Sequence, residues 1–206
     1  MRVAILSESP ADEAALRIIV DSILGTRTTP VDLSLRSRGW PSVRDVLGAV
    51  IRSLHYKTDA DGLVVVADSN HNSVIEPIPK NRLRELLAIV DRNHSALNSK
   101  GGRVPIRVAV GIASPAIEAW WLCKKHAEIT EANWEKGLKE KNDPYTKLVL
   151  KQRLYGVDLP SIALTTERMT QAARELATEI AFLENRFPNG FGSLAKQLRA
   201  WRRIGE

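Results

Sequence analysis

Residues 62–70, GLVVVADSN, place an uninterrupted apolar run directly before a carboxylate and two small polar side chains. A continuous apolar run of this length is typical of an interior strand of a parallel sheet, because helices cover both faces of such a strand. Asp68, Ser69 and Asn70 would then lie at the carboxyl end of the strand. In open α/β sheets, ligands bind at that edge. The stretch therefore predicts a parallel sheet and a polar site beside it.

The sequence on either side repeats this pattern of strand and helix. Three further apolar runs predict strands at residues 2–7, 30–35 and 104–112. Apolar side chains at helical spacing predict helices at residues 10–24, 41–55, 81–97 and 115–125. The order β-α-β-α-β-α-β-α predicts an α/β fold, Rossmann-like, with a mostly parallel sheet of about four strands flanked by helices.

The pattern changes after residue 125. Residues 126–158 are polar and carry charge runs such as EKGLKEKND, whereas residues 165–187 and 193–203 have helical periodicity. We therefore expect residues 1–125 to form the α/β domain. Residues 126–206 would be a helical appendage packed on it, in one compact unit.

The composition limits the class of protein. The chain has 206 residues, of which 44% are hydrophobic, and a net charge of +6, which suits an anionic partner such as nucleic acid. The single cysteine, Cys123, excludes a disulfide framework within the chain and a zinc site built of cysteines. No apolar run approaches the length of a membrane span, and the N-terminal residues lack the pattern of a signal peptide. We expect a cytoplasmic protein with no membrane partner.

Three carboxylates follow predicted strands. Glu8 ends the first strand, Asp68 ends the third, and Glu118 lies one turn inside the helix after the fourth. Because the carboxyl ends of parallel strands share one edge of a sheet, these groups and the amide oxygen of Asn70 are expected to converge. Such oxygens are the ligands that Mg²⁺ and Mn²⁺ prefer. The simpler alternative is that Asp and Asn end strands and begin turns.

These residues resemble the motifs of a known family. Glu8 followed by Asp12 and Glu13 resembles the first motif of the Toprim fold, and Asp68-Ser69-Asn70 resembles its Asp-x-Asp motif. The segment IEAWWL, residues 117–122, resembles the Glu-x-Trp-x-Leu helix of the stand-alone Toprim-like proteins of the DUF4276 group. The resemblance covers roughly residues 2–125, with a weaker match at residues 187–201.

The resemblance implies Mg²⁺- or Mn²⁺-dependent chemistry on a phosphodiester. It implies a catalytic role for Glu8, Asp68 and Glu118, and a metal held by Asp68, Asn70 and Glu8. Asp12 and His71 would be auxiliary residues. Two positions depart from the family: Ser9 replaces the usual glycine, and Asn70 replaces the second acid of Asp-x-Asp, which removes a charge and should weaken a divalent ion.

Basic residues outside this acidic group are candidates for binding nucleic acid. Arg36 and Arg38 follow the second predicted strand, and arginine pairs well with phosphate oxygens. The C-terminal segment has basic side chains around Trp201, a pattern that can hold a single strand but is equally typical of an ordinary amphipathic helix. Its candidate residues are Lys196, Arg199, Arg202 and Arg203.

The sequence thus supports three hypotheses. The first is a Toprim-type nuclease acting on DNA or RNA in a prokaryotic phage-defence or repair system, for which the family implies an ATPase partner subunit. The second is a catalytically weak or inactive Toprim-like subunit that binds a partner protein or nucleic acid. The third is a domain that acts on a small phosphate ester. Metal binding through Asp68 separates the first two, and homo-oligomer formation stays open.

Overall fold

The computed structural model describes residues 1–33, 35, 39–77, 81–98 and 104–202. Within these ranges the chain forms a four-stranded parallel sheet in the order β2-β1-β3-β4, with helices on both faces. The strands are β1 (Arg2–Leu6), β2 (Thr29–Pro30), β3 (Gly62–Asp68) and β4 (Arg107–Ala113). The prediction of an α/β fold with a parallel sheet of about four strands is confirmed.

The sheet has a topological switch between β1 and β3. From β1 the chain passes to β2 on one side, and from β2 it crosses to β3 on the other. Val3 is aligned with Gly62, and Leu6 with Val65, so β3 extends beyond the end of β1. The two consecutive crossovers diverge at this point, which opens a crevice at the carboxyl ends of the two strands.

The bounds of the predicted second strand, residues 30–35, are wrong: of the described residues in that segment, only Pro30 belongs to a strand. Only Thr29 and Pro30 form β2, at the edge of the sheet, and the main-chain N–H of Val31 adds one bond to the carbonyl of Val3. An edge strand pairs on one side only, and Pro30 has no N–H to donate, so little holds the segment extended. The predicted fourth strand likewise begins three residues late, at Arg107, after Pro105.

The first three helices are close to their predicted bounds. They are α1 (Pro10–Leu24), α2 (Gly39–Lys57) and α3 (Arg82–Asn98). Ser9 caps α1 by accepting the N–H of Asp12, Pro10 occupies the first turn, and Gly25 ends the helix at a φ of 67°. Glycine suits this left-handed cap because it has no Cβ.

The second half of the chain contains more helix than the sequence predicts. The helices are α4 (Glu118–Leu122), α5 (Glu131–Glu140), α6 (Lys147–Tyr155), α7 (Ile162–Ala177), α8 (Ile180–Arg186) and α9 (Phe191–Arg202). The predicted helix at residues 115–125 is only one turn and a half long, and the polar segment 126–158 holds α5 and α6. Both begin at a threonine, Thr130 or Thr146, whose hydroxyl accepts a main-chain N–H three residues later.

The long helix predicted at residues 165–187 is divided in two. It begins earlier, after the Ser161 cap, and breaks at Thr178 and Glu179, where the Thr178 hydroxyl donates to the carbonyl of Glu175. A threonine hydroxyl that bonds the preceding turn competes with the helical pattern. The main-chain N–H of Glu179 then turns back to Leu176.

Two apolar layers enclose the sheet. Alternate side chains of β3 point to opposite faces: Val64 and Val66 pack with α1 and the later helices, whereas Leu63 and Val65 pack with α2 and α3. On the first face, α7 lies along α1, and the Ser22 hydroxyl donates to the carbonyl of Ala177. The C-terminal helices thus share one apolar core with the sheet.

Helix α9 covers the outer edge of β4. Leu194 packs over Gly111, where an added Cβ would come within 3.0 Å of the leucine. The side-chain amide of Gln197 accepts the N–H of Val110 at 3.2 Å and donates to its carbonyl at 3.0 Å. A glutamine therefore bonds the edge of β4 where a neighbouring strand would pair. Among the described helices, none has the length and apolar character to cross a membrane.

Candidate functional site

A cleft of about 490 Å³ lies beyond the carboxyl ends of β1 and β3, at the topological switch. Four of the carboxyl groups that line it are buried or half-buried, and together they define what we name the acidic cleft: Glu8, Asp12, Asp68 and Glu118. A fifth, on Asp158, is exposed at the rim. The opposite wall is formed by α6 and by the segment that joins it to α7.

Asp68 is the most strongly held of these residues. Its Oδ1 accepts the main-chain N–H of Ile117 at 2.9 Å, and its Oδ2 accepts the ammonium group of Lys147. The main-chain N–H of Asp68 donates to Glu8 Oε1 at 2.9 Å, and its carbonyl accepts the guanidinium of Arg82. Glu8 and Asp68 are therefore joined directly, and both oxygens of the Asp68 carboxylate are held by hydrogen bonds.

Arg82 is itself held in place by an aromatic ring. Its guanidinium lies 4.4 Å from the ring centre of Trp40, which is buried at the start of α2. Cation–π contact of this kind favours one orientation of the arginine. Arg82 thus connects α3 to the end of β3 and positions the main chain of Asp68.

Asn70 lies outside the lining of the cleft. The strand ends at Asp68, and the main-chain N–H groups of Ser69 and Asn70 donate to the carbonyls of Ala113 and Pro115. Asn70 has a φ of 51°, a left-handed conformation that asparagine tolerates better than most residues. The chain therefore turns at this point, and Asn70, which replaces the second acid of Asp-x-Asp, does not follow the direction of the strand.

Glu118 and Asp12 form the buried end of the acidic cleft. Glu118 Oε1 accepts the Tyr155 hydroxyl at 3.1 Å, while Oε2 is buried with no hydrogen-bond partner among the described residues. Burial, followed by the charge of Asp68, raises the pKa of Glu8, Asp12 and Glu118, and brings that of Asp12 to about 8. Burial and mutual repulsion disfavour the ionised forms of these carboxyl groups, so a cation bound among them would stabilise the carboxylates.

Helix α6 contributes three side chains to the cleft: Lys147, Lys151 and Tyr155. They recur every four residues, so they share one face of the helix, and all three line the cleft. Burial lowers the pKa of the Lys147 ammonium, but the charge and hydrogen bond of Asp68 outweigh burial and raise it. Lys147 is therefore a cation at neutral pH. Sequence reasoning missed these residues, because they lie in the polar segment treated as an appendage.

The acidic cleft fits a divalent ion only in part. Within the described ranges, no group of three or more His, Cys, Asp or Glu side chains is placed to hold a metal. Mg²⁺, however, commonly keeps several waters and binds through one or two carboxylates together with substrate phosphates. Asp68 and Glu8 supply two such carboxylates, and the Lys147 ammonium marks where a cation meets Asp68. A metal would take that place when Lys147 leaves it.

The other candidate residues lie elsewhere. His71 is exposed, with Nδ1 3.6 Å from Asp143 Oδ2. Arg199 pairs with Glu184, Arg202 donates to the carbonyl of Ile23, and Lys196 lines a smaller pocket beside α3. Arg36, Arg38 and Arg203 lie outside the described residues.

The structure thus brings together Glu8, Asp12, Asp68 and Glu118, and adds Lys147, Lys151 and Tyr155 to them. A comparison of the chain with protein-family models, with curated proteins and with solved structures gave no match.

Proposed function

We propose that the acidic cleft is the active site of a metal-dependent hydrolase that cleaves phosphodiesters of nucleic acid. The observation that carries the proposal is the arrangement at Asp68. This carboxylate lies at the switch point of the sheet, its main chain is bonded to Glu8, and its Oδ2 already pairs with a cation. The resemblance of Glu8, Asp68 and Glu118 to the Toprim motifs supports the same reaction class.

Mg²⁺ or Mn²⁺ bound by Asp68 and Glu8 would neutralise charge that develops on the phosphoryl group. Lys147, released from Asp68, would bind a phosphate oxygen, with Lys151 one helical turn away. In an arrangement in which Asp68 alone holds the ion, Glu8 would instead take or give the proton, because burial raises its pKa. Tyr155 orients Glu118, whose second oxygen is left free to accept a further donor.

The overall charge supports a nucleic acid substrate. The net charge of +6 includes basic residues far from the cleft that would contact a phosphate backbone without reading sequence. We propose that the protein acts in a prokaryotic cytoplasm, in a phage-defence or repair system. Its sequence contains no nucleotide-binding motif, so an ATPase partner would supply the motor.

The direct test is a cleavage assay. Supercoiled plasmid and single-stranded oligonucleotides are incubated with the protein in Mg²⁺ and in Mn²⁺, and the wild type is compared with Glu8→Gln and Asp68→Asn. Each substitution should reduce the rate at least ~100-fold, the usual loss when a proton-transfer or charge-stabilising group is removed. Glu13→Gln is the matched control, because Glu13 lies on α1 next to Asp12 but outside the cleft lining.

Circular dichroism must show that each variant is folded. Nicking that persists in Asp68→Asn, or that does not require a divalent ion, would refute the proposal.

Two observations favour the second hypothesis, a subunit without catalytic activity. Lys147 neutralises Asp68 without a metal, and Asn70 contributes neither charge nor side chain to the cleft. A protein of this kind would use the cleft to bind a partner. Calorimetry with Mn²⁺ separates the two. A catalytic site should bind Mn²⁺ with a heat that Asp68→Asn abolishes, whereas a site in which Lys147 stays on Asp68 should give no such heat.

A further inference from the structure

The rim of the acidic cleft exposes large apolar side chains. Leu159 is 94% exposed and Ile162 is 79% exposed, and both line the cleft together with Pro160. We name these three residues the apolar lip. Leu148 and Val157, close by in sequence, are exposed as well. Apolar side chains gathered beside a polar cleft are typical of a contact surface, whereas isolated ones are not.

The segment that carries the apolar lip is well anchored. Gly156 ends α6 at a φ of 74°, and Ser161 caps α7 by accepting the N–H of Leu164. Between them, Asp158 Oδ1 accepts the side-chain amide of Gln152 at 2.8 Å. Leu159 is therefore presented to solvent by a connection that is fixed on both sides, so its exposure is a property of the fold.

The cleft offers different chemistry on its two sides. Lys151 presents its ammonium group on the wall of α6, next to Lys147, which pairs with Asp68 and would be released when an ion takes its place, while the apolar lip presents aliphatic surface at the mouth. A ligand that satisfies both has an anionic group and a flat apolar face. The volume of about 490 Å³ lies within the range of pockets that enclose one small-molecule unit.

An unstacked nucleotide has these properties. In a duplex the faces of the bases are buried against each other, and enzymes that act inside such a cleft must use single strands or extrude a nucleotide. Apolar side chains such as Leu, Ile and Pro contact the exposed face of a base or insert between bases. A single strand presents that face without the cost of unpairing.

We infer that the acidic cleft takes one nucleotide of a single-stranded polynucleotide, with its base against Leu159, Pro160 and Ile162 and its phosphate towards Lys147. The inference rests on the proposed function for what happens to the phosphate. The contact with the base, however, is a matter of binding and can be measured without cleavage.

The test is fluorescence anisotropy with labelled 12-nucleotide DNA and RNA strands and with the corresponding annealed duplexes, in Ca²⁺. The wild type is compared with the double variant Leu159→Ser/Ile162→Ser. Val104→Ser is the matched control, because Val104 is 82% exposed but precedes β4, at the opposite end of the strands from the cleft. The double variant changes exposed residues, so its fold should be retained.

We expect the wild type to bind a single strand more tightly than the duplex. The double variant should lose at least about fivefold in affinity for the single strand, because it loses its contact with one base. Val104→Ser should bind like the wild type. The DNA and RNA arms then identify which polymer is bound.

Equal strand binding by the wild type and the double variant, no binding, or a preference for duplex would overturn the inference. So would self-association of the wild type that the double variant abolishes, which would assign the apolar lip to a second copy of the chain. A protein that binds the strand through the apolar lip but cleaves no substrate in Mn²⁺ would reject the proposed hydrolysis and would leave the nucleotide-binding inference standing.

Discussion

Replacement of Asp12 by asparagine should stabilise the protein, and the gain should increase with pH. Asp12 is buried on the first turn of α1, close to the charges of Asp68, Glu118 and Glu8. Burial and these charges raise its pKa from 3.8 to about 8. Asparagine has the same shape, keeps the main-chain bond to Ser9, and has no charge to bury.

The sign follows from the two pKa values. Below pH 3.8 the carboxyl is protonated in the folded and unfolded chains, so it does not affect stability. Between pH 3.8 and about 8 only the unfolded chain loses the proton, so the free energy of unfolding falls as pH rises. From pH 5 to pH 8 this amounts to about 4 kcal/mol at 1.36 kcal/mol per pH unit. Because Glu8 and Glu118 take up part of the protonation, we expect about 2 kcal/mol.

The assay is urea unfolding of the wild type and Asp12→Asn at pH 5, 6.5 and 8, in EDTA. The difference in the free energy of unfolding should grow by about 2 kcal/mol over this range, or roughly 4–8 °C in melting temperature for a domain of this size. Asp91→Asn, an exposed acid on α3, should show no such trend. A variant that follows the wild type at every pH, or that is less stable at pH 8, would refute the reasoning.

Three further predictions concern contacts of α6 and of Gly190, the residue before α9. Lys147→Met removes the ammonium that competes for Asp68, so calorimetry should show roughly tenfold tighter Mn²⁺ binding, about 1.4 kcal/mol, with a smaller change in Lys151→Met. Tyr155→Phe leaves a second oxygen of buried Glu118 without a donor and should cost about 1 kcal/mol in urea unfolding; an unchanged midpoint would contradict this. Gly190→Ala places a Cβ against a backbone carbonyl of β4 and should cost about 3 kcal/mol, whereas normal stability would mean that this close approach is wrong.

The sequence predicts the interior of the sheet better than its edges. β1 and β3 are buried on both faces, so their composition is dictated by the core, and β3 is predicted to the residue. β2 is an edge strand of two residues, and nothing in PVDLSL distinguishes an alternating strand from an irregular connection. The extra helix α6 has little apolar periodicity, so its threonine cap is the sequence signal that indicates it, whereas α5 has a buried face that includes Trp134 and is interrupted by buried acids.

The residues of the acidic cleft also differ in how well the sequence predicts them. Glu8 and Asp68 could be predicted to meet, because β1 and β3 are neighbouring parallel strands, Asp68 ends β3, and Glu8 lies two residues beyond the end of β1. Lys147 could not, because it is 79 residues from its partner and reaches it only through the packing of α6. Asn70 is expected in the site because it follows the end of the same strand as Asp68, but the chain turns after Asp68 and Asn70 lies outside the lining of the cleft.

The glutamine on the edge of β4 has a consequence for assembly. A sheet edge with free N–H and C=O groups recruits extended segments of other chains, which is a common route to aggregation and strand exchange. Gln197 occupies both groups of Val110 at the middle of that edge, so an incoming strand would first have to displace a helix. Gln197→Ala would free the N–H and the carbonyl of Val110, but Leu194 and the rest of α9 would still cover the edge, so the helix and the amide together protect β4 from strand addition.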